Sequence, residues 1–242
     1  MRLSATLHLP ALALLVLLIW PVQAGARQVS TTASLRARPV KLSSVRGRLR
    51  LLRCGARRAY KRMAGSFEYQ TRSMCGPTSL ANVLNAGERG RASHTQFSVL
   101  RRSGKSLALV RGEAPRPDGT IPPRGFTLQE LHGVLRRYRP DAAIRPVRSD
   151  ASPARIKAEL AGALAGSGLV VVNFDRRALG QQGRGHFAPL GAYDARSDSF
   201  LVMDVNRKRG WTWIDADALI AAMGQKTVES RGYLVTGAGR PR

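Results

Sequence analysis

Apolar positions along this chain change period several times, and each change marks an element. Between Cys75 and Asn85, Leu80, Val83 and Leu84 fall on one helix face, and Pro77 stands where a first helical turn tolerates its missing N–H. Phe126-Thr127-Leu128-Gln129-Glu130-Leu131 has the form of a helix start. Thr127 caps, Glu130 reaches back to complete a capping box, and Phe126 packs on Leu131. That helix is predicted to run to about Tyr138, before Pro140. Ser152-Pro153 opens another, ended after about Ala165 by Gly166 and Gly168. Leu169 to Phe174 is then a near-continuous apolar run, the pattern of a strand buried on both faces. His186 to Tyr193 and Phe200 to Val205 read as two strands around the turn 194–198. Asp215 to Met223 reads as a helix and Arg231 to Val235 as a last short strand. The fold class is therefore α+β, with length for one sizeable core plus extensions. Residues 86–125 are weakly patterned and yield no element.

The beginning of the chain follows a different pattern. Met1 and Arg2 precede the apolar run Leu9 to Trp20, and Pro21-Val22-Gln23-Ala24-Gly25-Ala26 follows. This is the layout of a secretory signal, too short to span a bilayer comfortably, with an uncleaved anchor as the alternative. Residues 1–26 are thus expected to direct export to the periplasm or the cell exterior, or to hold the protein on the membrane. The chain carries 40 Lys and Arg against 15 Asp and Glu, a formal net charge of +25. Twelve basic residues and no acidic one lie between Arg27 and Arg62. Residues 27–65 therefore read as a basic N-terminal extension. Its plain reading is a solvated, partly disordered arm; its functional reading is attraction to an anionic membrane or envelope surface. No aromatic interleaving or binding motif points to nucleic acid.

Chemistry concentrates at Cys75. A helix N-terminus carries roughly half a positive charge, which stabilises a thiolate. Gln70, five positions earlier, is a candidate oxyanion donor. A base comes from the predicted hairpin. A turn centred between 195 and 197 sets residue 186 roughly opposite 204–208, a register that allows His186 and Asp204 to be cross-strand neighbours. An aspartate bonded to one imidazole nitrogen aims the other at the thiol and stabilises the imidazolium. The order Cys75, His186, Asp204 is that of papain-like sites. The alternatives are a small buried cysteine, or a disulfide between Cys75 and Cys54, the only other cysteine, closing a loop of about 20 residues. Two cysteines are too few for a structural zinc site, and no metal site is built from this inventory. His8 lies in the leader and His94 in the unpatterned region; His132 on the Thr127 helix suits packing or the surface.

These residues carry a resemblance to the phytochelatin synthase family, papain-like enzymes acting on glutathione, from about Phe67 to Leu234. The matching stretches are Cys75-Gly76-Pro77-Thr78-Ser79-Leu80 with Val83-Leu84-Asn85, and Leu179-Gly180-Gln181 with Gly183, Gly185-His186-Phe187 and Pro189. Asp204-Val205, Arg207 and Arg231-Gly232-Tyr233-Leu234 complete them. The resemblance implies a papain-like catalytic domain over 66–238, with Cys75 as nucleophile, His186 as general base and acid, Asp204 as orienting carboxylate and Gln70 as oxyanion donor. In family members the glutamine usually stands one position farther upstream than here. Arg176 and Asn173 fall at family positions associated with substrate, and Arg207 and Arg231 match arginines able to hold its carboxylates. The implied reaction cleaves the Cys–Gly bond of glutathione and passes the γ-glutamylcysteinyl group to water or to a second glutathione. No cofactor is built in; cadmium or zinc would arrive as a glutathione thiolate. The chain ends at Arg242 with no cysteine after Cys75, as in short prokaryotic members. Dimerisation is compatible with all of this. The rival readings are a leader-cleaving papain-like peptidase and an inactive basic surface-binding protein with Cys54 and Cys75 joined.

Overall fold

Each predicted strand finds an antiparallel partner, and the sheet they make is what carries the site. A computed structural model of the chain describes residues 38–88, 93–115, 125–148, 150–225 and 230–237. In chain order the elements are β1 (Val40–Lys41), α1 (Val45–Arg53), α2 (Arg58–Met63), α3 (Cys75–Gly87), α4 (Gln96–Ser103), α5 (Leu107–Arg111), α6 (Leu128–Arg136), β2 (Ala143–Pro146) and α7 (Pro153–Ala165). Then follow β3 (Leu169–Asp175), β4 (Gly185–Asp194), β5 (Ser199–Val202), β6 (Thr212–Asp215), α8 (Ala216–Met223) and β7 (Gly232–Thr236). Single 3-10 turns lie at Ala64–Ser66 and Arg176–Leu179.

The seven strands order as β1-β6-β5-β4-β3-β7-β2, every pair antiparallel. β3 is buried at all seven positions, between β4 and β7, which explains its unbroken apolar pattern. Helices cover both faces. Leu169 approaches the C-terminal end of α3 at Gly87, while Tyr233, in register with Val172 on the other face, donates its hydroxyl to Glu159 of α7. α3 itself is buried from Gly76 through Ala86, so it is the central helix of the core.

Local chemistry sets the helix ends. The capping box at Thr127 closes in both directions, Glu130 N–H to Thr127 Oγ1 at 3.0 Å and Thr127 N–H to Glu130 Oε2 at 2.9 Å. α6 stops at Arg136, short of Tyr138, because Arg137 and Tyr138 tighten to bonds three residues back. α8 begins one residue after Asp215, whose carboxylate accepts from the Ala218 N–H. The unpatterned 86–125 region contains α4 and α5, started by Thr95 with Ser98 and by Ser106.

The expectation of a loose basic arm over 27–65 is corrected from residue 38 onward. Three attachments order the segment. Gly47 lies so close to Lys41 that a Cβ would fall 2.0 Å from its carbonyl oxygen, and the Gly47 carbonyl accepts from Trp213 Nε1 at 3.0 Å. Arg50 is buried, with its guanidinium 3.3 Å from Ser199 Oγ. Arg53 binds Asp194 through two nitrogens, the shorter bond 2.6 Å. Several of the segment's charges thus serve the sheet. The leader and residues 27–37 lie outside the described residues.

Candidate active site

The turn before α3 determines where Cys75 stands. Met74 N–H bonds Thr71 O at 3.2 Å, and Ser73 takes a left-handed conformation, φ 64°, rare for a residue with a side chain. This reversal buries Met74 fully and leaves Cys75 as the first residue of α3. Met74 at the cap has no side-chain acceptor to offer, so the first N–H groups of the helix stay available to an anion.

A gap in the sheet receives this helix end. Arg176 N–H bonds Arg184 O, and Met203 N–H bonds Pro189 O. The even-numbered residues of β4 therefore exchange bonds with β3, and the odd-numbered ones face the β5 side. β5, however, pairs only with residues 190–194, across a bulge between Leu190 and Ala192. Over residues 185–188 the β5 side of β4 is open, and there the Phe187 N–H is directed at the Cys75 thiol.

His186 and Asp204 complete the contact. His186 Nε2 lies 2.8 Å from Asp204 Oδ1, and the ring also interacts with the thiol of Cys75. With Nε2–H donating to the carboxylate, Nδ1 is the nitrogen that faces sulfur. Phe174 stands edge-on to the ring, centroids 5.6 Å apart. Asp204 Oδ1 also accepts from Asn206 N–H at 2.8 Å, and Oδ2 from Arg176 at 2.7 Å. Arg176 is itself buried and gives its other terminal nitrogen to Gln181 Oε1 at 2.6 Å. The glycines of the His-containing stretch make room: a Cβ at Gly183, φ 109°, would press on Arg176 Cδ, and one at Gly185 would lie 2.4 Å from an Arg231 nitrogen.

The electrostatics follow from these bonds. Burial pushes the Cys75 thiol up, but the hydrogen bond and charge of His186, the Phe187 N–H and the charge of Arg176 outweigh it and hold the thiol below its ordinary value. Burial depresses His186, while Asp204 and Cys75 raise it to a net upward shift. Burial also raises Asp204, yet its bonds with His186, the Arg176 charge and Asn206 N–H bring it down to about 2. The arrangement favours a thiolate and imidazolium pair, balanced behind by a carboxylate and a guanidinium.

The remaining predicted residues divide. Arg176, expected at the substrate, is instead bound to Asp204 and Gln181, where it fixes the carboxylate. Asn173 and Arg231 are brought to each other, Oδ1 to guanidinium 3.1 Å, with Asp175 3.6 Å from Arg231. Arg207 lies over the Tyr69 ring at 4.3 Å. Gln70 is tied by its backbone N–H to Val205 O at 2.9 Å, and its buried Oε1 has no hydrogen-bond partner among the described residues. Cys54 and Cys75 are both free thiols, so the disulfide alternative is not the arrangement observed. His132 bonds the Ala142 carbonyl, a packing role.

One group of residues escaped the sequence reading. Asn82, in the middle of α3, accepts from Glu68 N–H and donates to Glu68 O, at 2.8 and 3.0 Å. Gln96, at the start of α4, binds Glu68, Tyr69, Thr71 and Thr78. Together they clamp the strand-like segment that holds Gln70. The available signal was an asparagine between the apolar positions Leu80, Ala81, Val83 and Leu84 of the central helix, since a buried polar side chain there must find partners.

Residues 30–233 match the family model of phytochelatin synthase. The chain is 37% identical over 70 residues to glutathione gamma-glutamylcysteinyltransferase 3 of Lotus japonicus, covering 27% of this chain and 15% of that protein. It is 31% identical over 71 residues to the glutathione gamma-glutamylcysteinyltransferase of Schizosaccharomyces pombe, covering 28% and 17%. With glutathione gamma-glutamylcysteinyltransferase 2 of Arabidopsis thaliana the identity is 36% over 70 residues, covering 27% and 16%. Each of these matches spans less than a fifth of the relative's length. With the family match running through the central helix, the sheet and all the site residues described above, the chain belongs to the phytochelatin synthase family.

Proposed function

We propose that this protein is a papain-like thiol acyltransferase acting on glutathione. The observation that carries the reading is the series of interactions from Cys75 through His186 to Asp204 and Arg176, at a helix N-terminus that meets a gap in the sheet. Cys75 thiolate attacks the carbonyl of the Cys–Gly bond. The Cys75 backbone N–H and the Gln70 amide receive the oxyanion. His186 passes its proton to the departing glycine amine, leaving a γ-glutamylcysteinyl thioester on Cys75. Water then attacks, with His186 as base, to release γ-glutamylcysteine and restore the thiol; alternatively the amine of a second glutathione takes the acyl group. Asp204 keeps Nδ1 of His186 on the thiol side throughout, and Arg176 holds Asp204 in place. Arg207 and the Arg231–Asn173 pair are the proposed donors to substrate carboxylates. Cadmium or zinc enters as the glutathione thiolate.

The test is incubation of the protein with glutathione, with and without cadmium, under reducing conditions, with products identified by mass spectrometry beside Cys75→Ser. Glycine with γ-glutamylcysteine marks hydrolysis, and longer γ-glutamylcysteinyl chains mark transfer. Both should disappear in the variant. Glutathione left intact by the unmodified protein defeats the reading, and leader-type peptides then become the substrates to try.

A further inference from the structure

α1 is amphipathic in the inverted sense. Its buried face consists of Gly47 and Arg50, and its exposed face carries Val45, Leu49 and Leu52, at 66%, 56% and 68% exposure. Among the described residues only Phe97 is another large hydrophobic side chain so exposed. The three lie at i, i+4 and i+7, one ridge along two turns. Arg46 and Arg48, both exposed, flank it. Beside it opens a cleft of about 700 Å³ whose lining includes Lys41, Arg48, Leu52, Lys208 and Arg209 together with Arg207, the residue assigned above to substrate, and no carboxylate is among the lining residues.

Core packing does not account for the ridge, since the sheet already holds α1 through Gly47, Arg50 and Arg53. We infer that α1 and the basic cleft beside it form a docking surface for an anionic lipid bilayer. Val45, Leu49 and Leu52 enter the boundary between headgroups and acyl chains, and Lys41, Arg46, Arg48, Lys208 and Arg209 lie against lipid phosphates. Charge selects this occupant over a second copy of the chain, which would bring the same arginines and lysines together on molecules of formal charge +25. A polyanion without an apolar phase, such as nucleic acid or polysaccharide, would leave the ridge in water. The inference does not depend on the reaction proposed for Cys75.

The experiment is co-sedimentation of the full chain with vesicles of phosphatidylcholine alone or mixed with phosphatidylglycerol, at low and high salt. The unmodified protein should bind the mixed vesicles and retain part of that binding at high salt. Leu49→Ser with Leu52→Ser should weaken it about tenfold or more and make the remainder fully salt-sensitive. Arg46→Gln with Arg48→Gln should weaken it at low salt. All four positions are exposed, so thermal midpoints should stay as in the unmodified protein. Three results overturn the inference: unchanged vesicle binding by the double serine variant, equal binding to neutral and anionic vesicles, or a change of oligomeric mass on substituting the leucines, which would make a second copy the occupant.

Discussion

Cys54 and Cys75 are the same side chain at opposite kinds of helix end. Cys54 caps the C-terminus of α1, where its thiol donates to the Tyr193 carbonyl at 2.7 Å; burial and the nearby Asp194 carboxylate push its pKa up. Cys75 opens α3, and its burial is outweighed by His186, the Phe187 N–H and Arg176. Desolvation raises both thiols, and at Cys54 it prevails. At Cys75 the cationic and N–H groups aimed at the sulfur outweigh it, and the helix dipole acts in the same direction at each site, against a thiolate at Cys54 and for one at Cys75.

The largest test of that contrast is substitution. Cys75→Ser should lower glutathione turnover by at least about a thousandfold, whereas Cys54→Ser should stay within about twofold. Next is the support behind the thiol. Asp204→Asn should reduce turnover about 10²- to 10⁴-fold, because the imidazolium loses its partner and the ring its fixed tautomer. Alkylation of the two thiols as a function of pH shows the same effect directly. Cys75 should react at lower pH than Cys54 in the unmodified protein and shift toward Cys54's behaviour in the variant.

Acid stability is the third test. The folded-state pKa of Asp204 is depressed to about 2. Its contribution is therefore complete above the unfolded carboxylate value of about 3.9 and is lost as pH falls from there through about 2, on the order of 2 kcal/mol. Denaturant titrations between those limits should show that loss, and Asp204→Asn should lack it. The smallest effects compare what holds each cysteine's neighbourhood. Asn82→Ala leaves Glu68 backbone groups without partners and should cost about 1–3 kcal/mol, with reduced turnover through the Gln70 segment. Arg53→Ala removes a half-exposed arginine from the Asp194 carboxylate and should lower the thermal midpoint slightly, with turnover unchanged.

The legible parts of this molecule were those governed by local rules. The Thr127 capping box, the Pro153–Ala165 helix and the buried β3 run appear where the pattern puts them. His186 and Asp204 do meet, though by a different route from simple hairpin pairing. β5 ends at Val202, a bulge shifts the register, and Asp204 reaches His186 from beyond the ladder. Long-range polar contacts were not legible. Gln96 reaches back 25–28 positions to the Gln70 segment, and no local pattern encodes that. Arg176 is expected at the substrate from its family position alone, and its bonds to Asp204 and Gln181 depend on side chains 28 and 5 positions away that no local pattern encodes. In α1 the apolar period exists, but the anchoring of Gly47 and Arg50 turns it outward.

The most direct measurement is the mass of the intact protein and of its cysteine peptides, quenched in acid shortly after mixing with glutathione. The proposed mechanism expects one γ-glutamylcysteinyl group on the Cys75 peptide, reversed by hydroxylamine, with the Cys54 peptide unmodified. An acyl group on Cys54, or glycine release with no acyl group on Cys75 under any quench time, would contradict it.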